Sequence, residues 1–153
     1  MFQNRKLNIG PVELASRVVS APMAGVSDVA FRYLAARMGA GLTFTEMASA
    51  KGLIQGDRRT ITIAKTHPKA KPCFVQIFGH DEEEAGHAAK IAQDNGADGV
   101  DINMGCPVRK VLKSGSGGAL MKDIEKAVRI IAAARKNTSV PLTVKTRAGW
   151  SKE

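Results

Sequence analysis

The sequence predicts an α/β fold, a (β/α)8 TIM-type barrel that is incomplete and holds about the first five β/α units. Segments typical of strands and of helices alternate along the 153 residues. No GxGxxG motif follows the first strand, as it would in a doubly wound dinucleotide-binding sheet. Polar or conformationally special residues end every strand, which favours a barrel because barrel chemistry lies at the carboxyl ends of the strands.

The length of the chain sets a second expectation. A full barrel takes about 250 residues, whereas this chain has 153. We therefore expect residues 1–153 to be the amino-terminal part of a barrel domain, as a natural truncation or as a fragment. Because five strands cannot close a barrel, we expect two open sheet edges.

Five apolar segments predict parallel strands, because helical patterns separate them. They are Arg17–Met23, Leu42–Met47, Pro72–Gly79, Val100–Met104 and Leu142–Arg147. Polar side chains lie in the later part of the last four segments, where a barrel places its site. These side chains are Glu46, Gln76, Asn103, Lys145 and Arg147.

Capping signals delimit three helices. Ser27 or Asp28 begins a helix that ends at Gly39, Asp81 begins one that stops at Asn95-Gly96, and Asp123 begins the last. The apolar face of the first helix is predicted at Ala30, Phe31, Leu34, Ala35 and Met38, and that of the last at Ile124, Ala127, Val128 and Ile131. Residues 48–71 predict a short helix and a loop.

The charge of the chain is unevenly distributed. The net charge is +9, and residues 101–153 hold 11 Lys and Arg against 4 Asp and Glu. Residues 1–100 hold 12 against 10. A basic rim that begins at the candidate site indicates a polyanionic partner such as RNA. A basic enzyme whose lysines are only solvated is the alternative interpretation.

The cysteines, histidines and termini exclude several classes of protein. Cys73 and Cys106 form neither a CxxC motif nor a disulfide framework, and Cys73 is predicted to pack inside a strand. The histidines lack metal-ligand spacing, so we expect no metal. Met1–Lys6 has no apolar signal core, and no apolar run reaches the roughly 18 residues of a membrane span. These features predict a cytoplasmic protein without a membrane partner.

The segment from Val100 to Pro107 is the strongest functional signal. An apolar strand leads directly into Asn103 and Cys106, and Pro107 prevents regular structure from continuing. A thiol at the carboxyl end of a buried strand can act as nucleophile or general acid. The cations Arg109 and Lys110 follow and can hold an anionic substrate.

Two further strand-end side chains indicate a bound flat heterocycle. The amide of Gln76 lies among apolar residues, where leaving it unpaired costs roughly 1–3 kcal/mol. Lys145 is a cation at the end of a buried strand, and the electron-rich edge of a reduced flavin would compensate its charge. The alternatives are a backbone partner for Gln76, and an ion pair of Lys145 with Glu46 or Asp101.

With these residues assembled, the chain resembles the tRNA-dihydrouridine synthases, most closely their bacterial B-type branch. Other flavin barrels share the individual segments, but the combination in this order is specific. The matching segments cover nearly all of residues 10–150 and are Ala21–Asp28, Gly39–Leu42, Thr45–Met47, Val75–Gly79, Asp101–Lys110, Ser114–Met121 and Val144–Trp150.

The resemblance implies a flavoenzyme in which NADPH reduces FMN and hydride passes to C6 of a tRNA uridine. It implies that Cys106 protonates C5 as general acid and that Asn103 orients the uracil. The residues implied to hold the flavin are Pro22, Met23, Ala24, Gln76 and Lys145. Those implied to meet RNA phosphates are Arg109, Lys110 and Arg147. The family's later barrel strands and helical tRNA-binding domain have no counterpart within the 153 residues.

Two other functions are compatible with the residues. A flavin barrel that acts on a free pyrimidine, in the manner of dihydroorotate dehydrogenases, would use the same strand-end groups. The basic charge of residues 101–153 favours RNA over such a small substrate. An inactive truncated product is the third hypothesis, and it predicts a colourless protein.

Overall fold

The computed structural model describes residues 7–151 and centres on a parallel sheet. The segment Met1–Lys6, in which the sequence shows no signal core, lies outside the described residues. An antiparallel hairpin of β1 (Leu7–Ile9) and β2 (Val12–Leu14) comes first. The five strands of the sheet are β3 (Thr43–Phe44), β4 (Ala48–Ser49), β5 (Cys73–Phe78), β6 (Gly99–Asn103) and β7 (Leu142–Lys145).

Six α-helices connect the strands, and two 3-10 turns accompany them at Pro68–Ala70 and Gly117–Lys122. The helices are α1 (Val29–Arg37), α2 (Ala50–Ile54), α3 (Arg58–Ala64), α4 (Glu82–Asp94), α5 (Arg109–Lys113) and α6 (Ile124–Asn137). The predicted caps are confirmed, because Asp28, Asp81 and Asp123 each accept a backbone N–H from the first turn of their helix.

Neighbouring strands of the sheet follow one another along the chain, as they do in a (β/α)8 barrel. Strand β5 lies between β3 and β6, and β6 pairs with β7, all in parallel. Val19 forms a parallel bridge to Leu42 and so places the chain before α1 beside the next strand. The structure is therefore an α/β barrel of which the described residues form a part.

Two predicted strands are shorter than the sequence suggested. The predicted strand Arg17–Met23 is reduced to a β-bridge between Val19 and Leu42. The segment has a neighbouring strand on one side, and Pro22 near its end lacks an N–H donor for further pairing. Within the predicted segment Leu42–Met47, the strand is reduced to β3, and β4 begins just beyond the segment at Ala48. This division separates two short strands that pair with opposite ends of β5. The division falls at Thr45, whose hydroxyl accepts the N–H of Gln76 in place of a backbone carbonyl.

The core lies between the sheet and helices α2, α4 and α6. Helix α4 turns four buried alanines, Ala85, Ala88, Ala89 and Ala92, toward this core. Small side chains allow close packing against α6, which buries Ala127, Ile130 and Ala134. A second cluster of Leu14, Leu42 and Phe74 places the β1–β2 hairpin at the amino-terminal ends of the strands. The carboxyl ends are thus left for the site.

The predicted apolar face of α1 is wrong in phase, and that of α6 is confirmed at Ala127 and Ile131, which pack in the core, but not at its other two residues. Leu34 and Met38 of α1 are 58% and 87% exposed, and Ile124 and Val128 of α6 are 65% and 57% exposed. In α1 the buried side chain is Arg32, whose guanidinium donates to the carbonyls of Ser27, Asp28 and Lys65. These carbonyls stabilise the buried cation and fix the rotation of the helix. No helix in the described part of the chain is long and apolar enough to span a membrane.

Candidate active site

A cavity of about 220 Å³, which we term the thiol pocket, lies at the carboxyl ends of the parallel strands. Seven of the ten residues predicted for the site line it, and they come from four separate loops and strand ends. The lining residues are Pro22, Ala24, Met47, Gln76, Asn103, Gly105, Cys106, Pro107, Val108, Lys145 and Arg147. The strand order therefore gathers groups that are more than 100 positions apart in the chain.

Strand register places the polar groups side by side. Gln76 of β5 is paired with Asp101 of β6, and Asn103 of β6 is paired with Lys145 of β7. Because alternate residues of a strand point to the same side, Asp101 and Asn103 share one face of β6. Gln76, Asp101 and Asn103 are all at least nine-tenths buried, so their polar atoms need partners within the protein.

These three side chains satisfy one another. The Nε2 of Gln76 donates to Oδ2 of Asp101 at 2.6 Å, and the Nδ2 of Asn103 donates to Oε1 of Gln76 at 3.0 Å. The hydroxyl of Thr143 donates to the other oxygen of Asp101 at 2.6 Å. An ionised carboxylate only accepts, so Asp101 determines which way the Gln76 amide faces, and Gln76 in turn orients Asn103.

The end of this chain of hydrogen bonds holds the thiol loop. Oδ1 of Asn103 accepts the backbone N–H of Cys106 at 3.0 Å and that of Gly105 at 3.3 Å. The carbonyl of Cys106 accepts the N–H of Gly118 at 3.0 Å. A Cβ on Gly117, which has a φ of 59°, would lie 3.1 Å from Cβ of Cys106, so glycine is needed for this approach. Cys106 is half-buried and borders the pocket, within reach of a ligand.

Burial perturbs the carboxyl of Asp101. Desolvation raises its pKa above the ordinary value, because Asp101 is only 2% exposed. The hydrogen bonds from Gln76 and Thr143 and the charge of Lys145 act in the opposite direction and offset part of this effect. A perturbed carboxyl next to a pocket is typical of functional sites.

Two cations border the pocket, and they differ in their hydrogen-bond and ion-pair partners. The Nε of Arg147 donates to the carbonyl of Gly105 at 2.6 Å. Within residues 7–151, no carboxylate lies within 4.0 Å of the ammonium group of Lys145. The alternative ion pair of Lys145 with Glu46 or Asp101 is therefore not formed. Glu46 instead accepts the N–H of Gly25.

Three predicted residues lie outside the thiol pocket. Met23 does not line it, and its backbone N–H and carbonyl are hydrogen-bonded within the turn to Ser27 and Val26. Arg109 is exposed at the start of α5 and does not border the pocket. Lys110 borders a neighbouring cavity. The amide of Gln76 has partners within the protein, and they are the side chains of Asp101 and Asn103 rather than the neighbouring backbone.

Asp101 and Thr143 are site residues that sequence reasoning did not assign. The sequence signal for Asp101 was its charge within the apolar run from Gly99 to Ile102, since a charged residue in such a run is rare unless it has a partner. A larger cavity of about 680 Å³ lies elsewhere, near Tyr33 and His67, and Glu46 alone of the strand-end residues borders it. No cluster of His, Cys, Asp or Glu among residues 7–151 is arranged to hold a metal ion.

Comparison with known proteins bears on the identity of this arrangement. The chain matches the family model "Dihydrouridine synthase (Dus)" over residues 19–153. It is 41% identical over 144 residues to tRNA-dihydrouridine synthase B of Xanthomonas axonopodis pv. citri, covering 94% of this chain and 43% of that protein. It is 44% identical over 139 residues to a probable tRNA-dihydrouridine synthase of Rhizobium leguminosarum bv. phaseoli, covering 91% and 44%.

A third relative comes from another bacterium. The chain is 38% identical over 147 residues to tRNA-dihydrouridine synthase B of Pasteurella multocida, covering 96% of this chain and 44% of that protein. The chain thus spans less than half the length of these curated relatives. The matched segment includes the whole thiol pocket. The chain belongs to the dihydrouridine synthase family, and its similarity is to the B-type members.

Proposed function

We propose that this chain contributes the catalytic thiol and part of the flavin site to an enzyme that reduces a uridine of tRNA to 5,6-dihydrouridine. The observation that carries the proposal is the convergence of Cys106, Asn103, Gln76 and Lys145 on one pocket. In this proposal, residues 1–153 are the amino-terminal part of a flavin-binding barrel. The later strands and a helical tRNA-binding domain complete the protein, and the tRNA substrate implies a cytoplasmic location.

The residues of the pocket fit one edge of a flavin ring. The ammonium of Lys145 is without a carboxylate partner in the described structure, and Gln76 keeps one amide N–H beyond its bond to Asp101. Pro22 and Ala24 add apolar contacts, while Met23 supports the turn that carries them. A pocket of about 220 Å³ is smaller than the roughly 300–1,000 Å³ usual for a cofactor, so other parts of the protein must supply the remainder.

FMN, reduced by NADPH, would supply the hydride that reaches C6 of the uracil. Cys106 then donates its thiol proton to C5, so that the C5–C6 double bond becomes a single bond and the thiolate is left to regain a proton from solvent. Asn103 holds the Cys106 backbone, and its second N–H, which donates to the Met47 sulfur at 3.8 Å, can exchange this weak acceptor for an oxygen of the uracil. A target uridine must leave its stack to reach this pocket, at a cost of a few kcal/mol.

The cations supply the attraction that offsets this cost. Arg147 lies at the mouth of the pocket, and Arg109 and Lys110 follow Cys106 on an exposed helix. Together with the net charge of +9, they form a basic surface suited to RNA phosphates.

The test uses the full-length product of the gene. We expect purified protein supplied with FMN and NADPH to add two hydrogen atoms to a uridine of unmodified tRNA, as measured by mass spectrometry of the digested nucleosides. Free uridine, at the same concentration, should not react. Equal rates on free uridine and on tRNA would contradict the proposal and favour a flavin barrel for free pyrimidines.

A further inference from the structure

A second cavity, which we term the flanking cleft, lies directly beside the thiol pocket. It has a volume of about 480 Å³, and Met47 and Val108 line both cavities. The other lining residues that determine its chemistry are Lys51, Phe78, Glu84, Lys110 and Val111. They come from the start of α2, the end of β5, the first turn of α4, and α5.

The chemistry of the cleft combines apolar walls with two cations. Phe78, Val108 and Val111 offer aromatic and aliphatic surface, whereas Lys51 and Lys110 bring ammonium groups from two different helices. Neither lysine has a carboxylate within 4.0 Å in the described part of the chain. A base stacked on apolar side chains with its phosphate beside lysines is the usual arrangement in single-stranded RNA binding.

The size and position of the cleft fit one nucleotide. Its volume lies within the roughly 300–1,000 Å³ typical of ligand sites, whereas the thiol pocket lies below that range. A uridine in the thiol pocket is covalently joined to its neighbours in the RNA, so one neighbour must lie close to the pocket mouth. Because Met47 and Val108 line both cavities, the cleft lies directly beside the pocket, where the neighbouring nucleotide must be.

We propose that the flanking cleft binds the nucleotide adjacent to the uridine that is reduced. The base lies against Phe78 and Val108, and its phosphate is held by Lys51 and Lys110. Glu84 lies in the same cleft, where its carboxylate can accept a hydrogen bond from a ribose hydroxyl. This inference rests on the proposed function for its substrate, and it adds a subsite that selects RNA over a free pyrimidine.

The test compares three lysine variants of the protein as its gene encodes it. Lys51→Gln and Lys110→Gln should each weaken tRNA binding about tenfold, as expected for the loss of one charged contact. Lys113→Gln is the matched control, because Lys113 is exposed on the same helix as Lys110 but does not line the cleft. The dissociation constant is measured by fluorescence anisotropy without NADPH, so the readout does not depend on catalysis.

Two further measurements identify the ligand. The salt dependence of tRNA binding should become shallower by about one phosphate contact for Lys51 and Lys110, but not for Lys113. NADPH is also anionic, so the KM for NADPH is measured in the absence of RNA, with dissolved oxygen as the acceptor that reoxidises the flavin. It should not change. A higher KM for NADPH together with unchanged tRNA binding would overturn the proposal.

The base contact is tested on the RNA side, which leaves the protein fold untouched. An abasic nucleotide placed on one of the two sides of the target uridine should raise the KM for that RNA about tenfold with the wild-type protein, because stacking contributes roughly 1–3 kcal/mol per base. No effect on either side would overturn the proposal, as would equal losses of tRNA binding in all three lysine variants. If the lysine variants weaken tRNA binding as expected but the wild-type protein forms no dihydrouridine, the proposed function is refuted, whereas the cleft remains an RNA site.

Discussion

At the scale of single residues, the site is organised by a carboxylate rather than by the thiol. Asp101 fixes Gln76, Gln76 fixes Asn103, and Asn103 holds the backbone of Cys106. Each step places a donor opposite an acceptor within a buried environment, where an unpaired polar group costs about 1–3 kcal/mol. The position of Cys106 therefore depends on Asp101, a buried residue that does not itself border the thiol pocket.

The proposed role of Cys106 as proton donor makes a direct prediction. In the protein as its gene encodes it, Cys106→Ala should leave the reduction of bound flavin by NADPH intact and lower dihydrouridine formation at least 100-fold, the usual range for a general acid. Absorbance of the flavin follows the first step, and mass spectrometry follows the second. Cys73→Ala is a matched control for the loss of a thiol, since Cys73 is fully buried away from the pocket. Normal dihydrouridine formation by the Cys106 variant would exclude the role.

Asp101 predicts a pH dependence of stability. Because its pKa is raised in the folded state, the native protein holds the proton more tightly than the unfolded chain does. The stability from this proton is fully present below about pH 4, the pKa of an unfolded Asp, and is lost as the pH rises through the folded pKa. The isosteric variant Asp101→Asn has no titrating carboxyl and therefore lacks this pH-dependent contribution to stability.

Urea unfolding at several pH values provides the measurement. The free energy of unfolding of the wild type minus that of Asp101→Asn should fall as the pH rises above about 4, the pKa of an unfolded Asp. Thr143, whose hydroxyl can donate or accept, allows the amide to be accommodated. A difference that stays constant with pH would show that Asp101 keeps its ordinary pKa.

At the scale of elements, close approach between neighbouring strands fixes the sheet. The ring of Phe74, fully buried in β5, lies over Gly99 at the start of β6. A Cβ on Gly99 would come within 2.4 Å of that ring, so the absence of a side chain at this position is a packing requirement. Phe74 also contacts Phe44 of β3 edge-to-face, with ring centroids 5.7 Å apart. One glycine thus affects three strands.

Gly99→Ala should therefore destabilise the protein by about 1–3 kcal/mol, the usual cost of overpacking a core. Chemical denaturation measures the loss. The smaller side chain in the double variant Gly99→Ala with Phe74→Leu should restore part of it, so the two changes should be non-additive. Additive losses would mean that the Phe74 ring is not the obstacle.

At the scale of the whole molecule, the described residues leave apolar surface and strand edges uncovered. Strand β7 is paired on one side, with β6, and the chain around Val19 is paired on one side, with Leu42. Val18, Leu34 and Met38 are 65%, 58% and 87% exposed. Unpaired edges and apolar surface of this kind favour association between copies.

We expect the isolated 153-residue chain to self-associate, and sedimentation at increasing concentration would detect this. Replacing Leu34 and Met38 by lysine should reduce the association, because both side chains are exposed and neither belongs to the core. A compact monomer with a single cooperative unfolding transition would contradict the prediction.

The alternation of strands and helices after Leu42, the three aspartate caps and the carboxyl-end position of Cys106 could all be predicted from the sequence, whereas the β1–β2 hairpin was not. These features depend on local chemistry, such as an Asp side chain accepting an N–H from the next turn, or a proline that ends a strand. The family resemblance also rested on short segments whose order the sequence displays. Local signals of this kind hold in any tertiary context, and for this reason they could be predicted.

The tertiary structure alone decided which groups satisfy one another. The pairing of Gln76 with Asp101, the burial of Arg32 and the separation of Lys110 from the thiol pocket all depend on strand register and helix rotation. Those are set by contacts between residues far apart in the chain, and an amide can face several partners with similar energy until the fold selects one. Hydrogen-bond partners within a buried site were therefore beyond prediction from the sequence, whereas most of the residues that line the thiol pocket could be predicted.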